Sequence, residues 1–338
     1  MKNVRRATAL ISVVAAVVAV GSSLAACGSS GGAGTGSGAT KIKIGYTADF
    51  SGSAAFAVAQ KQGLFAKEGL DPDLKVFTNG PLQIQAFGSG DLDVGYIGPG
   101  ALWLPQSGKA KVIGINQLGL ADHLIARPGK AITSVADLKG KKVAVPQGTS
   151  GDMIFQLALK KAGLSPKDVN VVNMDPSTVV TAFSSGSVDA AATWYPLLDT
   201  IKKKVPNFVD LASDKNYYPQ QTFPNVFVAS NSYVDKHSAT VKKFLRVVQQ
   251  ANDWIVKHPK EAEQIDAKYL KVPQENLSTA TDYVKLLPSS KLVEDSKNGT
   301  VETWLDGLST AFVQMGKVKS PLKAKDYYTA DLYEAAAR

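Results

Sequence analysis

The sequence predicts an α/β fold built from two similar lobes, and three observations support this prediction. Short apolar strands alternate with helical segments, which is typical of parallel sheets. The decapeptide AFGSGDLDVG at Ala86–Gly95 recurs as AFSSGSVDAA at Ala182–Ala191, with five identities in ten positions. The chain has 338 residues, of which 44% are hydrophobic and 20% charged, enough for two globular domains.

The similarity extends outward from the decapeptide, so that each half predicts the order strand, helix, strand, helix, strand. In the first half the predicted elements are Ile42–Gly45, Ala54–Gln62, Leu74–Phe77, a helix opened by Pro81, and Leu92–Ile97. In the second half they are Val143–Val145, a helix ending near Lys161, Val169–Val172, a helix opened by Pro176, and Val188–Thr193. Because open parallel sheets bind ligands beyond the carboxyl ends of their strands, two facing lobes predict one cleft between them.

The remainder of the chain predicts mainly helices. After a strand at Val226–Ser230, helical spacing indicates Ala239–His258, Glu261–Tyr269, Glu275–Lys285, Val301–Gly316 and Tyr327–Ala337. We expect these helices to return and cover the sheet of the first lobe, which otherwise lacks helices on its faces. A separate helical domain is the alternative.

The first 26 residues are interpreted as an export signal. Lys2, Arg5 and Arg6 precede the apolar run Leu10–Val20, which is too short to span a bilayer. The following LAAC ends at Cys27, the only cysteine, and resembles a lipoprotein cleavage site, which implies that Cys27 is lipidated. An ordinary signal peptide with an unmodified cysteine is the alternative. Residues 27–40 lack large apolar side chains and predict a flexible tether.

Composition and motifs argue against several other classes. The net charge of +9 is scattered, and Lys202, Lys203 and Lys204 are interpreted as a solvated helix face, so no nucleic-acid partner is expected. The loop at residues 147–152 lacks the ending of a nucleotide-binding P-loop. The three histidines, His123, His237 and His258, are far apart, and no catalytic triad context is present. We therefore expect no metal, no cofactor and no enzymatic activity.

Four ordered blocks resemble a known family. They are AQKQGLFAKEGL at Ala59–Leu70, GP at Gly80-Pro81 leading to SGDLDVG at Ser89–Gly95, DLKGKKVAV at Asp137–Val145, and VDAAATWYP at Val188–Pro196. In this order they are similar to the solute-binding components of ABC importers for taurine, aliphatic sulfonates and nitrate. The resemblance covers the chain from about Lys41 to Leu332.

The resemblance implies a type II periplasmic-binding-protein fold with its ligand cleft between two lobes that close by a hinge. Lobe I would comprise residues 41–124 and 225–338, and lobe II residues 125–224. The chain would cross between the lobes near Ala121–Arg127 and return near Phe223–Ala229. The partners implied are a small anionic or zwitterionic ligand, an ABC permease and its ATPase, and the outer face of the cell membrane through Cys27. The chain is expected to be a monomer.

Candidate ligand-binding residues follow from the helix starts that would face the cleft. A helix N-terminus offers free N–H groups and partial positive charge, which suit a sulfonate or another anion. Plain helix capping by the same residues is the alternative. Trp194 and Tyr195 would emerge at a strand end and pack on the ligand, or Trp194 would pack in the core or hinge. The candidates are Asp49, Phe50, Ser51, Ser53, Gly98, Pro99, Gly100, Gln147, Gly148, Thr149, Ser150, Asp152, Trp194 and Tyr195.

Three aspartates bear on the ligand. Asp49 in an anion-binding loop favours a zwitterion whose ammonium group faces the carboxylate, although Asp49 could equally cap the helix. Asp122 and Asp152 are lesser candidates for the same role. Asp93 and Asp189, which correspond in the repeat, are interpreted as structural.

The expected function is capture of a small sulfonate, such as taurine or an alkanesulfonate, for delivery to a permease. Binding of nitrate, a carboxylate or a pyrimidine precursor is an alternative. So are an enzyme or a sensor on the same scaffold.

Overall fold

The computed structural model describes residues 38–337. The predicted signal at 1–26, Cys27 and the tether up to residue 37 lie outside the described residues. Within them the strands are β1 (Thr40–Thr47), β2 (Leu70–Phe77), β3 (Val94–Ile97), β4 (Lys111–Gly119), β5 (Asp122–Ala126), β6 (Lys142–Val145), β7 (Asn170–Asn173), β8 (Ala190–Trp194), β9 (Val209–Ser213), β10 (Pro224–Ala229) and β11 (Val284–Lys285).

The helices alternate with the strands through the first two thirds of the chain and then follow one another. They are α1 (Phe50–Lys61), α2 (Leu64–Lys67), α3 (Gly80–Gly88), α4 (Trp103–Gln106), α5 (Ser150–Lys161), α6 (Pro176–Ser185), α7 (Leu197–Lys204), α8 (Asn231–Lys236), α9 (Ser238–Lys257), α10 (Pro259–Leu270), α11 (Ser289–Lys297), α12 (Thr300–Gly307), α13 (Ser309–Gln314), α14 (Ala324–Tyr327) and α15 (Ala330–Ala336).

The strands form two sheets, which confirms the predicted two-lobe α/β fold. One sheet has the order β11-β4-β10-β3-β1-β2 and the other the order β7-β6-β8-β5-β9. The chain leaves the first sheet after β4, at Gly119, and enters the second at Asp122. It leaves the second sheet after Ser213 and re-enters the first at Pro224.

Both sheets are mixed, whereas the sequence predicted parallel sheets. β1 pairs in parallel with β2 and β3, and β6 pairs in parallel with β7 and β8. The strands at the crossings, β4, β5, β9 and β10, pair antiparallel with their neighbours. The reason is that these strands connect directly to the other sheet, so no crossover helix turns the chain back into a parallel alignment.

The two repeat-related aspartates have the predicted structural role. Asp93 Oδ2 accepts from the Lys43 amide at 2.9 Å, and Asp189 Oδ2 accepts from the Lys142 amide at 3.0 Å. Each aspartate therefore ties the residue before its own strand to the backbone of the strand that pairs beside it. The equivalence of the two bonds explains why the decapeptide is repeated with its aspartate retained.

The C-terminal helices cover the first sheet, as predicted. α9 and α10 pack against α1, and α15 packs against α9 and β4. This arrangement buries a large apolar cluster that includes Phe56, Phe227 and Phe244, whose rings contact one another. On α7, Lys202, Lys203 and Lys204 are exposed, in agreement with the predicted solvated face.

The predicted helix at Glu275–Lys285 was wrong. This segment contains two short 3-10 turns followed by β11, which pairs with the edge of β4. Its apolar residues Leu277, Ala280 and Val284 are buried as a helical spacing would suggest. The residues between them are mostly Asn, Ser, Thr and Asp, whose side chains compete for backbone hydrogen bonds and favour turns. The predicted helices at Val301–Gly316 and Tyr327–Ala337 are each interrupted, the first at Leu308.

Candidate functional site

A small cavity lies between the two sheets, beyond the carboxyl ends of β1, β3 and β8. Its volume is about 50 Å³, room for roughly four water molecules. Its position is the one expected for ligands of open α/β sheets. The lining residues come from both sheets: Thr47, Asp49, Ser51, Asn79, Gly80, Tyr96, Gly98, Pro99, Ala101, Gly119, Ala121, Asp122, Thr149, Ser150, Trp194, Tyr195 and Asn225.

The structure brings together part of the set of candidate residues. Those that line the cavity are Asp49, Ser51, Gly98, Pro99, Thr149, Ser150, Trp194 and Tyr195. Those that lie outside the lining are Phe50, Ser53, Gly100, Gln147, Gly148 and Asp152. Ser51 and Ser150, from different sheets, therefore face the same crevice.

The candidates outside the lining have other contacts. Phe50 belongs to the apolar core, and the Ser53 hydroxyl donates to the Asp49 carbonyl at 2.7 Å. Gln147 is exposed. Asp152 is buried, and its Oδ2 accepts from the Gly148 amide at 2.8 Å and lies 2.9 Å from Lys317 Nζ. Its carboxylate is thus already paired.

The helix starts around the cavity differ in how they are capped. The Asp49 carboxylate caps α1 by accepting from the Gly52 amide at 2.9 Å, and Asn79 caps α3 through the Leu82 amide at 3.1 Å. At α5 the Thr149 hydroxyl donates instead to the Pro146 carbonyl at 2.6 Å, so the helix has no side-chain cap. Of these three helix starts, that of α5 is the one without a side-chain cap, which leaves its N–H groups available to an anion.

Two of the residues that line the cavity are acidic. Asp49 and Asp122 line it, and no lysine or arginine is among the described residues that do. Burial raises the pKa of Asp49, opposed by hydrogen bonds from Thr47, Gly52 and Ser51. Burial raises the pKa of Asp122 to about 6, opposed most by hydrogen bonds from Ser150 and Asp214. Asp49 is thus committed to capping, whereas Asp122 Oδ1 is buried and has no partner within residues 38–337.

The sequence missed several lining residues. The Tyr96 hydroxyl donates to Asn225 Oδ1 at 2.7 Å, which joins β3 to β10 across the cavity floor. Asn79 and Gly80 were not predicted as site residues. The available signal was Pro81, which follows them and was predicted to open a helix, as its counterpart Pro176 does in the repeat. Gly119 and Ala121 lie where the chain crosses between the sheets. Contacts between residues that lie far apart in the chain, such as Tyr96 and Asn225, leave no local pattern in the sequence.

The two sides of the crevice touch through backbone and side-chain contacts. A Cβ added at Gly100 would lie 2.3 Å from the Ser150 Cα and backbone N and from the Thr149 carbonyl oxygen. Trp103 Nε1 donates to the Gly148 carbonyl at 3.2 Å. Together with the ion pair between Lys317 and Asp152, these contacts hold the α5 start against the first sheet.

The aromatic residues Trp194 and Tyr195 lie at the end of β8. The Tyr195 hydroxyl donates to the Asn276 carbonyl at 2.7 Å, and its ring stacks on Tyr283 with centroids 4.5 Å apart. Trp194 lies beside the start of α5, near Gly151. The C-terminal segment therefore holds Tyr195 at the cavity, and Trp194 packs beside the start of α5.

The two sheets, with a small cavity between them, form a two-lobe α/β fold. The model of the NMT1/THI5-like family matches residues 51–262, and the chain belongs to this family. The resemblance to solute-binding proteins seen in the sequence is confirmed by the relatives.

Three related proteins are named as binding proteins. One from Brucella abortus is 50% identical over 294 residues, covering 87% of this chain and 92% of that protein. An aliphatic sulfonates-binding protein from Bacillus subtilis is 31% identical, covering 82% and 85%. The taurine-binding periplasmic protein of Escherichia coli is 28% identical, covering 60% and 63%.

Solved structures share the fold. The alkanesulfonate-binding protein of Xanthomonas axonopodis, bound to MOPS, has a TM-score of 0.62 at 20% identity, covering 79% of this chain and 94% of that one. The periplasmic nitrate-binding protein of Synechocystis has a TM-score of 0.70 at 18% identity, covering 88% of each. A desulfurization enzyme has a TM-score of 0.62 at 12% identity, covering 88% and 98%. The scaffold is thus common to binding proteins and at least one enzyme.

No cluster of three or more His, Cys, Asp or Glu side chains suited to a metal ion occurs between residues 38 and 337. In the same range no helix has the length and apolar character needed to cross a membrane.

Proposed function

We propose that the chain is the extracytoplasmic solute-binding protein of an ABC importer, and that it captures a small amine-bearing sulfonate such as taurine by closure of the two lobes. The observation that carries this proposal is a cavity with one uncapped helix start and one acidic wall. Such a site is complementary to a small molecule with opposite charges at its two ends.

The acidic end of the ligand fits the start of α5. The amides of Ser150 and Gly151 have no side-chain cap, and the Ser150 hydroxyl lies beside them. An N-terminal helix end with free N–H groups stabilises a sulfonate without a positively charged side chain. The basic end fits the Asp122 carboxylate, where an ammonium group would meet negative charge in a water-poor setting.

The acidic wall also argues against the alternatives. A bare anion such as nitrate would lie close to two buried carboxyl groups with no lysine or arginine in the described lining to offset them. The names of the relatives from Bacillus subtilis and Escherichia coli agree with a sulfonate or taurine.

Delivery and location are parts of the same proposal. Lobe I would comprise residues 41–124 and 225–338, and lobe II residues 125–224. Export, lipidation of Cys27 and a tether at residues 27–40 would hold the monomeric chain at the outer face of the membrane, beside its permease. Ligand contacts from both lobes would shift the population toward the closed form that the permease receives.

The test is calorimetry on the full chain with taurine, ethanesulfonate, nitrate, acetate and an aminopyrimidine. Taurine should bind at one site per chain, and more tightly than ethanesulfonate, its amine-free analogue. A chain that binds none of the sulfonates, or that binds nitrate more tightly than taurine, would contradict the proposal. Thermal shift over the same panel gives an independent readout, because a ligand that binds only the folded state raises its stability.

A further inference from the structure

Two buried carboxyl groups lie side by side at the acidic wall. Asp122 opens β5 and Asp214 follows the end of β9, its neighbour in the sheet. The Asp122 amide donates to Asp214 Oδ2 at 3.0 Å. Asp122 is 3% exposed and Asp214 is fully buried. Within the described residues, Oδ1 of each has no partner, and Asp122 faces the cavity.

The surroundings of the pair supply little positive charge. On β5, His123 follows Asp122, but its Nδ1 is engaged by Asp210 of β9 at 2.9 Å. The other groups that face the pair are polar or acidic: Asp49 at the α1 start, Tyr96 on β3, Ser150 at the α5 start and Tyr217 beyond β9. Two adjacent carboxyl groups in such a setting cannot both be ionised, since like charges at close range disfavour the second ionisation.

We propose that Asp122 and Asp214 hold one proton between them at neutral pH, and that the single negative charge left on Asp122 selects ligands that carry a protonated amine. This inference rests on the proposed function. Asp122 is then the specificity-determining residue, and Asp214 is a positioning residue that donates its proton to the Asp122 carboxylate.

The electrostatics of the pair agree with this division. Burial raises the pKa of Asp122 to about 6, while burial and the charge of Asp122 raise the pKa of Asp214 well above its ordinary value. Near neutral pH Asp122 is therefore ionised and Asp214 is protonated. Below about pH 6 Asp122 also takes up a proton, which must leave to the solvent when an ammonium group binds. The affinity for such a ligand should fall about tenfold per pH unit below that point.

The experiment measures the affinity of the full chain for taurine and ethanesulfonate from pH 4.5 to 8. For the unmodified chain we expect taurine affinity to be level above about pH 6 and to fall below it, with release of a proton to the buffer. Ethanesulfonate should show no loss on acidification. Asp122→Asn should weaken taurine at least tenfold at pH 7 and abolish the pH step, but leave ethanesulfonate bound as tightly or more tightly.

Two further variants separate the roles of the pair. Asp214→Ala removes the proton donor and should weaken taurine, whereas Asp214→Asn supplies a permanent N–H donor and should restore most of that loss. Asp175→Asn is the matched control, because this exposed aspartate of the same lobe makes no side-chain cap bond and is not among the residues that line the cavity. Thermal unfolding verifies that each variant is folded.

The outcomes distinguish this inference from the proposed function. Equal losses for taurine and ethanesulfonate in Asp122→Asn, or a pH step that survives that substitution, would overturn the selecting role of Asp122 while sulfonate binding stands. Equal affinities of Asp214→Ala and Asp214→Asn would overturn the donor role of Asp214. Absence of binding for both sulfonates to the unmodified chain would overturn the proposed function itself, and this inference with it.

Discussion

Closure of the lobes over the ligand can be tested at Gly100, where the two sides of the crevice come into backbone contact. A Cβ at this position would lie 2.3 Å from the Cα and N of Ser150 and from the Thr149 carbonyl oxygen. Unstrained carbon contacts need about 3.5–4.0 Å, so the Gly100→Ala variant must hold the lobes apart by more than about 1 Å. The contacts are with backbone atoms, which no side-chain rotation can relieve.

The cost can be estimated from overpacking in well-packed sites, which is about 1–3 kcal/mol. Because this cost falls on the closed state, ligand affinity should drop by roughly 5- to 150-fold. Calorimetry measures the loss, and X-ray scattering with saturating ligand should show a larger radius of gyration than for the unmodified chain. Gly88→Ala in the same lobe is the control, since its added methyl group meets open space. If Gly100→Ala leaves both the ligand affinity and the radius of gyration with saturating ligand unchanged, the lobes do not close through this contact.

Three other predictions follow from named contacts. Trp103→Phe keeps an aromatic ring but removes the hydrogen bond to the Gly148 carbonyl. Because such a bond is worth about 0.5–1.5 kcal/mol, calorimetry should show ligand affinity lower by about 2- to 12-fold. The melting temperature of the ligand-free chain should be unchanged. Asp93→Ala should lower the urea-unfolding free energy by about 1 kcal/mol through loss of the Lys43 amide bond, without changing affinity. Because the folded-state pKa of Asp122 is raised to about 6, its stabilising contribution is full below the unfolded pKa and is lost as the pH rises through 6. The ligand-free chain should therefore lose about 1 kcal/mol more stability between pH 5 and 7 than Asp122→Asn, and equal losses would contradict the raised pKa.

Much of the fold could be predicted because its signals are local. The alternation of apolar strands with helices, and the decapeptide that carries Asp93 and Asp189, indicated both sheets and most of the elements around them. The errors have the same origin. The segment Glu275–Lys285 had the apolar spacing of a helix, but its short polar residues favoured turns. Its last two residues pair as a strand with β4, and no local pattern in the sequence shows this pairing.

The candidate site was predicted less completely, because side-chain direction and long-range pairing decide it. Asp49 precedes α1 and Asp152 lies in the first turn of α5, yet the Asp49 carboxylate caps α1 and the Asp152 carboxylate pairs with Lys317. Asp122 was a lesser candidate, and its importance appears only when β9 brings Asp214 beside it. Asn225 likewise reaches the cavity by a strand that crosses back from the other sheet.

The most direct test of the central claim is a crystal structure of the full chain with taurine. We predict taurine in the crevice, with its nitrogen within hydrogen-bond distance of Asp122 and its sulfonate oxygens at the Ser150 and Gly151 amides. Taurine bound outside the crevice, or with its sulfonate turned toward Asp122, would contradict it.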